Sequence, residues 1–218
     1  MKDSSIISAV ARIVEEKFTG ESSGHDWWHI YRVWQLSKKI AETEPGADSF
    51  SVELAALLHD IADWKFHNGN EEIGPALAKE ILTELKVDEA TISQVQSVIR
   101  HISYKGARVK SAPMTLVGQI VQDADRLDAL GAVGVARCFA YGGSANRPMW
   151  DPNVKPTLHS DQSSYKRSNS SSINHFYEKL LLLKDRMNTK TGKRLANHRH
   201  KYLEKFLSEF YAEWDGKI

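Results

Sequence analysis

Four short stretches carry side chains able to do chemistry together. They are Gly24-His25-Asp26-Trp27-Trp28-His29-Ile30-Tyr31-Arg32-Val33, Leu57-Leu58-His59-Asp60-Ile61-Ala62-Asp63-Trp64-Lys65, Arg100-His101-Ile102-Ser103-Tyr104-Lys105-Gly106 and Val121-Gln122-Asp123-Ala124-Asp125-Arg126-Leu127-Asp128. In the second, a long apolar run leads straight into His59-Asp60. An ionised carboxylate is costly to desolvate alone, and a metal ion removes that penalty by supplying positive charge. The fourth stretch repeats the pattern, with the apolar run Leu116 to Val121 ending in Asp123, Asp125 and Asp128. Carboxylates that close raise one another's pKa unless a cation is near. Imidazole and carboxylate together form a mixed nitrogen and oxygen donor set. It suits Mn, Fe, Zn or Ni and, less well, Mg, and selects none of them.

Each residue also has a plainer reading. A histidine ending an apolar helix is most often a satisfied core residue, and an Asp after a helix often caps the next one. His25 and His29 are four apart, but no HExxH glutamate accompanies them, so a zinc-protease site is unsupported. His198 and His200 lie in a basic Asn-His-Arg-His-Lys stretch expected to be a solvated helix face. Arg194, Arg199, Lys179 and Lys184 are expected to face solvent as well. No phosphate-binding Gly-rich loop, dinucleotide fingerprint or Gly-x-Ser-x-Gly elbow appears.

The elements that must position these groups read as helices. Apolar residues recur at helical spacing in Ile6-Val10-Ile13-Val14, Ile30-Val33-Trp34-Ile40, Ile73-Leu77-Ile81-Leu85, Ile92-Val95-Ile99-Ile102 and Leu203-Phe206-Leu207-Phe210-Trp214. No segment shows a period of two, so the chain is predicted to be all-α. Pro45-Gly46 and Asn68-Gly69 separate periodic runs, and Pro75 and Pro113 fall near helix starts. Residues 141–172, with three prolines, two glycines and a serine-rich end, are predicted to be irregular, as an active-site lid or a disordered stretch.

Bulk properties narrow the classes. The 218 residues suit one domain, and 29 basic against 28 acidic residues leave a net charge of +1. Binding to nucleic acid through bulk charge is not expected. Cys138 is the only cysteine, so neither a disulfide framework nor a cysteine-based zinc site can form within the chain. The N-terminus MKDSSIISAV has no signal-peptide pattern and no membrane-spanning run is seen, which predicts a soluble cytoplasmic protein. Assembly, including a homodimer, is left open.

The order His29, then His59-Asp60, then Asp125 resembles the HD superfamily of metal-dependent phosphohydrolases, and within it small stand-alone bacterial hydrolases. His29 lies in a His-x-x-Arg-Val context, His59-Asp60 ends a Leu-Leu helix, and Asp125 lies in Ala-Asp-Arg-Leu, similar to alarmone hydrolases of that superfamily. The resemblance covers residues 20–140 and implies a helical bundle with flexible loop 141–172 and C-terminal helices 173–215. It implies one divalent metal ion, Mn, Mg, Fe, Co, Ni or Zn, held by His29, His59, Asp60 and Asp125. Asp123 is the rival for the last ligand, or orients a ligand or a metal water from behind. Asp63, three residues after Asp60, stands where many relatives carry a glutamate acid or base, and is the expected proton-transfer residue. Lys65 and Lys105 are candidate phosphate contacts or solvated lysines. His101 is assigned to substrate or to support of the ligands. The implied reaction is attack of activated water on a nucleotide phosphate or pyrophosphate bond. A cyclic or signalling-nucleotide phosphodiesterase and a non-catalytic metal- or nucleotide-binding protein are the alternatives.

Overall fold

The computed structural model describes residues 2–20, 26–62, 70–109, 112–161 and 170–218. Every regular element among them is helical. The chain divides into two compact units, the first being 1–104 with 111–125, the second 105–110 with 126–218.

The first unit contains α1 (Lys2–Phe18), α2 (Trp27–Ala41), α3 (Ser49–Leu58), α4 (Ile73–Glu84), α5 (Glu89–His101) and most of α6 (Leu116–Asp128). Its centre is α3, which packs against α1, α2 and α5. Val52, Leu54, Ala55, Ala56, Leu57 and Leu58 are all wholly buried, so this helix has no solvent stripe over its second half. Each such leucine contributes about 1.5–3 kcal/mol by leaving water. Carboxylate caps set where the helices begin. Asp26 accepts from the His29 N–H at 2.9 Å, Asp48 from Phe50 N–H at 3.2 Å and Asp88 from Thr91 N–H at 3.0 Å. Each satisfies a donor that helix geometry leaves without a partner. Trp34 Nε1–H donates to Glu53 at 2.8 Å and ties α2 to α3.

In α4 the buried line is Gly74, Ala78 and Leu82, one position beyond the expected Ile73-Leu77-Ile81 line, whose members are half-buried. The reason is close approach. A Cβ on Gly74 would stand 3.2 Å from Ile99 of α5, so the small residue marks the seam while the larger ones flank it.

The second unit contains the end of α6, then α7 (Gly131–Ser144), α8 (Ser172–Glu178), a 3-10 helix (Leu180–Arg186) and α9 (Lys190–Trp214). The turn from α6 into α7 depends on two glycines. Gly131 has φ +74°, and a Cβ on Gly134 would lie 2.3 Å from the Ala129 carbonyl oxygen. An aromatic cluster joins α7, α8 and α9, with Phe176 stacked on Phe206 at 5.6 Å and Phe139 at 6.0 Å from Phe206.

The predicted irregular stretch starts later than expected, because α7 continues through Gly142 and Gly143 to Ser144. Residues 145–161 have no regular structure but are anchored. Ser172 and Ile173 N–H groups donate to the Pro148 and Met149 carbonyls, Asn174 donates to Val154 O, and Glu178 accepts from Thr157 N–H. Trp150 packs edge-on against Tyr211 and Trp214. The stretch 162–169 lies outside the described residues.

Candidate metal centre

Three helices deliver four side chains to one place in the first unit. His29 sits one turn into α2, its backbone fixed by the Asp26 cap. His59 is the C-terminal cap of α3, and Asp60 follows it. Asp125 lies on α6. The apolar run of α3 therefore anchors His59 and Asp60 against the core.

The two imidazoles are buried, with 1% of His29 and 4% of His59 exposed. Their Nε2 atoms are 3.3 Å apart, with the rings edge to face at 5.2 Å. The Asp60 carboxylate is 3.4 Å from His29 Nε2 and 3.6 Å from His59 Nε2. The Asp125 carboxylate is 3.6 Å and 4.0 Å from the same two atoms. Both carboxylates are partly open, 25% and 31% exposed, so the cluster is closed behind by the histidines and open on the acid side.

The chemistry of this donor set fits a divalent cation. His59 Nδ1 is 2.8 Å from the Ala56 carbonyl oxygen, which can only accept. That ring nitrogen therefore carries the proton, and in neutral imidazole Nε2 is left as a lone pair. The lone pair faces the His29 Nε2 and two carboxylate oxygens. His29, His59 and Asp125 each offer one atom within 4.8 Å of the others, the spread of a metal's ligands before they close on it. Asp60 and Asp123 both fall outside that three-residue group; Asp60 still approaches both Nε2 atoms, at 3.4 and 3.6 Å, whereas Asp123 is wholly buried.

The other sequence candidates fall in different places. Asp128, the third carboxylate of the α6 cluster, pairs with Arg137 at 3.1 Å in the second unit, so a guanidinium neutralises it. His101 is half-buried at the end of α5, its Nδ1–H donating to Ser97 O at 2.8 Å. Lys105 is half-buried and belongs to the second unit. Asp63, Lys65 and His25 lie outside the described residues. His200, expected on a solvated face, is buried, 8% exposed, with Nε2 3.4 Å from Glu204. Positions 196, 200, 203 and 207 form the inward line of α9, and His200 falls on it. Arg199 is likewise half-buried and donates to Leu127 O at 2.5 Å, where solvent exposure was expected. Desolvation holds its guanidinium below the usual arginine value. Asp26 is the residue whose part was not anticipated, although an Asp directly ahead of an apolar-periodic run is the ordinary signal of an N-cap.

The HD domain model matches residues 27–130, a span that begins at α2 and contains all four clustered residues. The Bacillus subtilis protein YpgQ is 35% identical over 217 residues, covering 99% of this chain and 97% of YpgQ. This chain belongs to the HD-domain family. Among solved structures, a Lactobacillus plantarum protein superposes with a TM-score of 0.86 at 34% identity, covering 96% of this chain and 97% of the other. An HD-superfamily hydrolase of Bacillus thuringiensis gives 0.75 at 41% identity, covering 98% of each chain. YpgQ, solved in complex with ADP, gives 0.78 at 31% identity, covering 98% of this chain and 97% of YpgQ. The likeness to these solved structures covers 96% or more of this chain, beyond the matched HD segment.

Proposed function

We propose that this HD-family protein is a metal-dependent phosphohydrolase that cleaves a nucleotide phosphate or pyrophosphate bond. The observation that carries the reading is the convergence of His29, His59, Asp60 and Asp125 with the imidazoles sealed and the carboxylates open. The ADP bound to YpgQ supports a nucleotide as the substrate class.

In this reading the four residues hold one divalent ion. When bound, that ion supplies Lewis acidity toward water and toward phosphate oxygens. His59 contributes a fixed lone pair, because Ala56 O holds its other nitrogen protonated. Asp60 and Asp125 contribute the negative charge that balances the ion, and their exposed side is the approach for substrate. Asp63 is assigned the proton transfer, and Lys65, His101 and Lys105 are assigned contacts to phosphate. Since the donor set is mixed, metal preference is a matter for measurement.

The test is metal analysis of the purified protein with a phosphate and pyrophosphate release screen over nucleotides, adding Mn, Mg, Co, Ni and Zn in turn. The expected result is near one metal per chain and release that disappears in His59→Ala. Release that survives that substitution at full rate would remove the reading.

A further inference from the structure

The third helix of the cluster arrives differently from the other two. His29 is set by a cap, and His59 and Asp60 are set by the buried α3. Asp125 lies on α6, partly exposed, and its reach to the imidazoles depends on how α6 is registered along its neighbour. A helix rises about 1.5 Å per residue, whereas metal–ligand distances hold within about 0.2 Å. A slip of a fraction of one residue would take Asp125 out of range.

One polar side chain on α6 makes that register specific. Gln122 is one turn before Asp125, on the same face. It is 1% exposed. Its Nε2 donates to Ile102 O at 3.2 Å and to His101 O at 3.4 Å. Those carbonyls lie at the end of α5, where a helix has no partners of its own for its last acceptors. An apolar contact tolerates sliding, but two directed bonds from a buried amide do not. Both bonds lie within the first unit, as does Asp125.

We propose that Gln122 is a positioning residue for the metal centre: by bonding the two terminal carbonyls of α5, it holds α6 where the Asp125 carboxylate meets His29 and His59. The inference rests on the metal-site reading above. It also assigns a role to the end of α5 that does not require His101 to touch substrate, since its carbonyl is what Gln122 uses.

The experiment measures Mn binding by calorimetry and by electron paramagnetic resonance on the full-length protein stripped of metal. Three variants are compared at a temperature where each is folded. Gln122→Met keeps length and bulk but loses the donor. Gln122→Glu sets a carboxylate against two carbonyls. Gln119→Leu is the control, because Gln119 is on the same helix but donates to Met114 O at 3.0 Å. The expected outcome is Mn affinity about 10- to 100-fold weaker in both Gln122 variants, the usual loss when a ligand's support is removed, with Gln119→Leu at the wild-type value. Wild-type Mn affinity in Gln122→Met overturns the inference and leaves the metal site standing, even if its melting temperature falls. If Gln122→Met does not fold, the same comparison is read from Gln122→Glu. Wild-type protein that binds no divalent metal overturns both the site and this inference.

Discussion

His59 is held at one nitrogen and presents the other. The Ala56 carbonyl accepts a hydrogen bond from Nδ1–H, and Nε2 faces His29, Asp60 and Asp125. Asp60 stands 3.4 and 3.6 Å from the two imidazole nitrogens and is a quarter exposed. Asp60→Ala is expected to lower bound metal and hydrolysis together, by at least an order of magnitude each. Metal content by elemental analysis beside the turnover of the same preparation checks this; full metal with full turnover would remove Asp60 from the ligand set. At the same scale Asp128 shows how a motif misleads. Its neighbourhood to Asp123 and Asp125 in sequence suggested a shared cation, but its partner is Arg137.

At the scale of elements, α3 is legible in sequence because its second half is apolar on every side, and such a segment must be central. The α4 seam was not, because Gly74 reads as a flaw in the pattern until Ile99 is seen above it. The turn between α6 and α7 is similar. Gly134 stands where any Cβ would collide with a backbone carbonyl that cannot swing away. Gly134→Ala is therefore expected to destabilise the protein by about 1–3 kcal/mol, as overpacking does. Urea denaturation reads this directly, and an unchanged midpoint would mean the turn relaxes freely. The irregular segment 145–161 was recognisable from its prolines, yet its anchoring to α8 and α9 was not. Those contacts join residues 20 or more apart, which composition does not encode.

At the scale of the whole molecule, no helix among the described residues is long and apolar enough to cross a membrane. A pH dependence follows from Cys138 in the second unit, whose Sγ–H donates to Ser172 O at 3.4 Å. Burial pushes its thiol from 9.0 up to about 12, with Lys179 and Arg147 acting the other way. The folded state therefore keeps a proton that the unfolded state loses. This contribution is complete below about pH 9 and is lost as pH rises from there toward 12. Relative to Cys138→Ala, the wild type is expected to lose stability more steeply above pH 9. Parallel denaturation curves of the two proteins through that window would remove the claim.

The sequence by itself determined the helical class, the central helix and the family, because hydrophobic period and the order His29, His59-Asp60, Asp125 are local properties of the chain. It also marked Asp125 by its Ala-Asp-Arg-Leu surroundings. Only the tertiary structure decided that Asp125 stands with the two imidazoles while Asp123 is sealed away and Asp128 pairs with arginine. Carboxylates three or fewer residues apart differ little in sequence, but a helix turns about 100° per residue and points each one at a different neighbour. Which neighbour holds a cation, a guanidinium or an imidazole is set by packing between helices, and that is written in three dimensions.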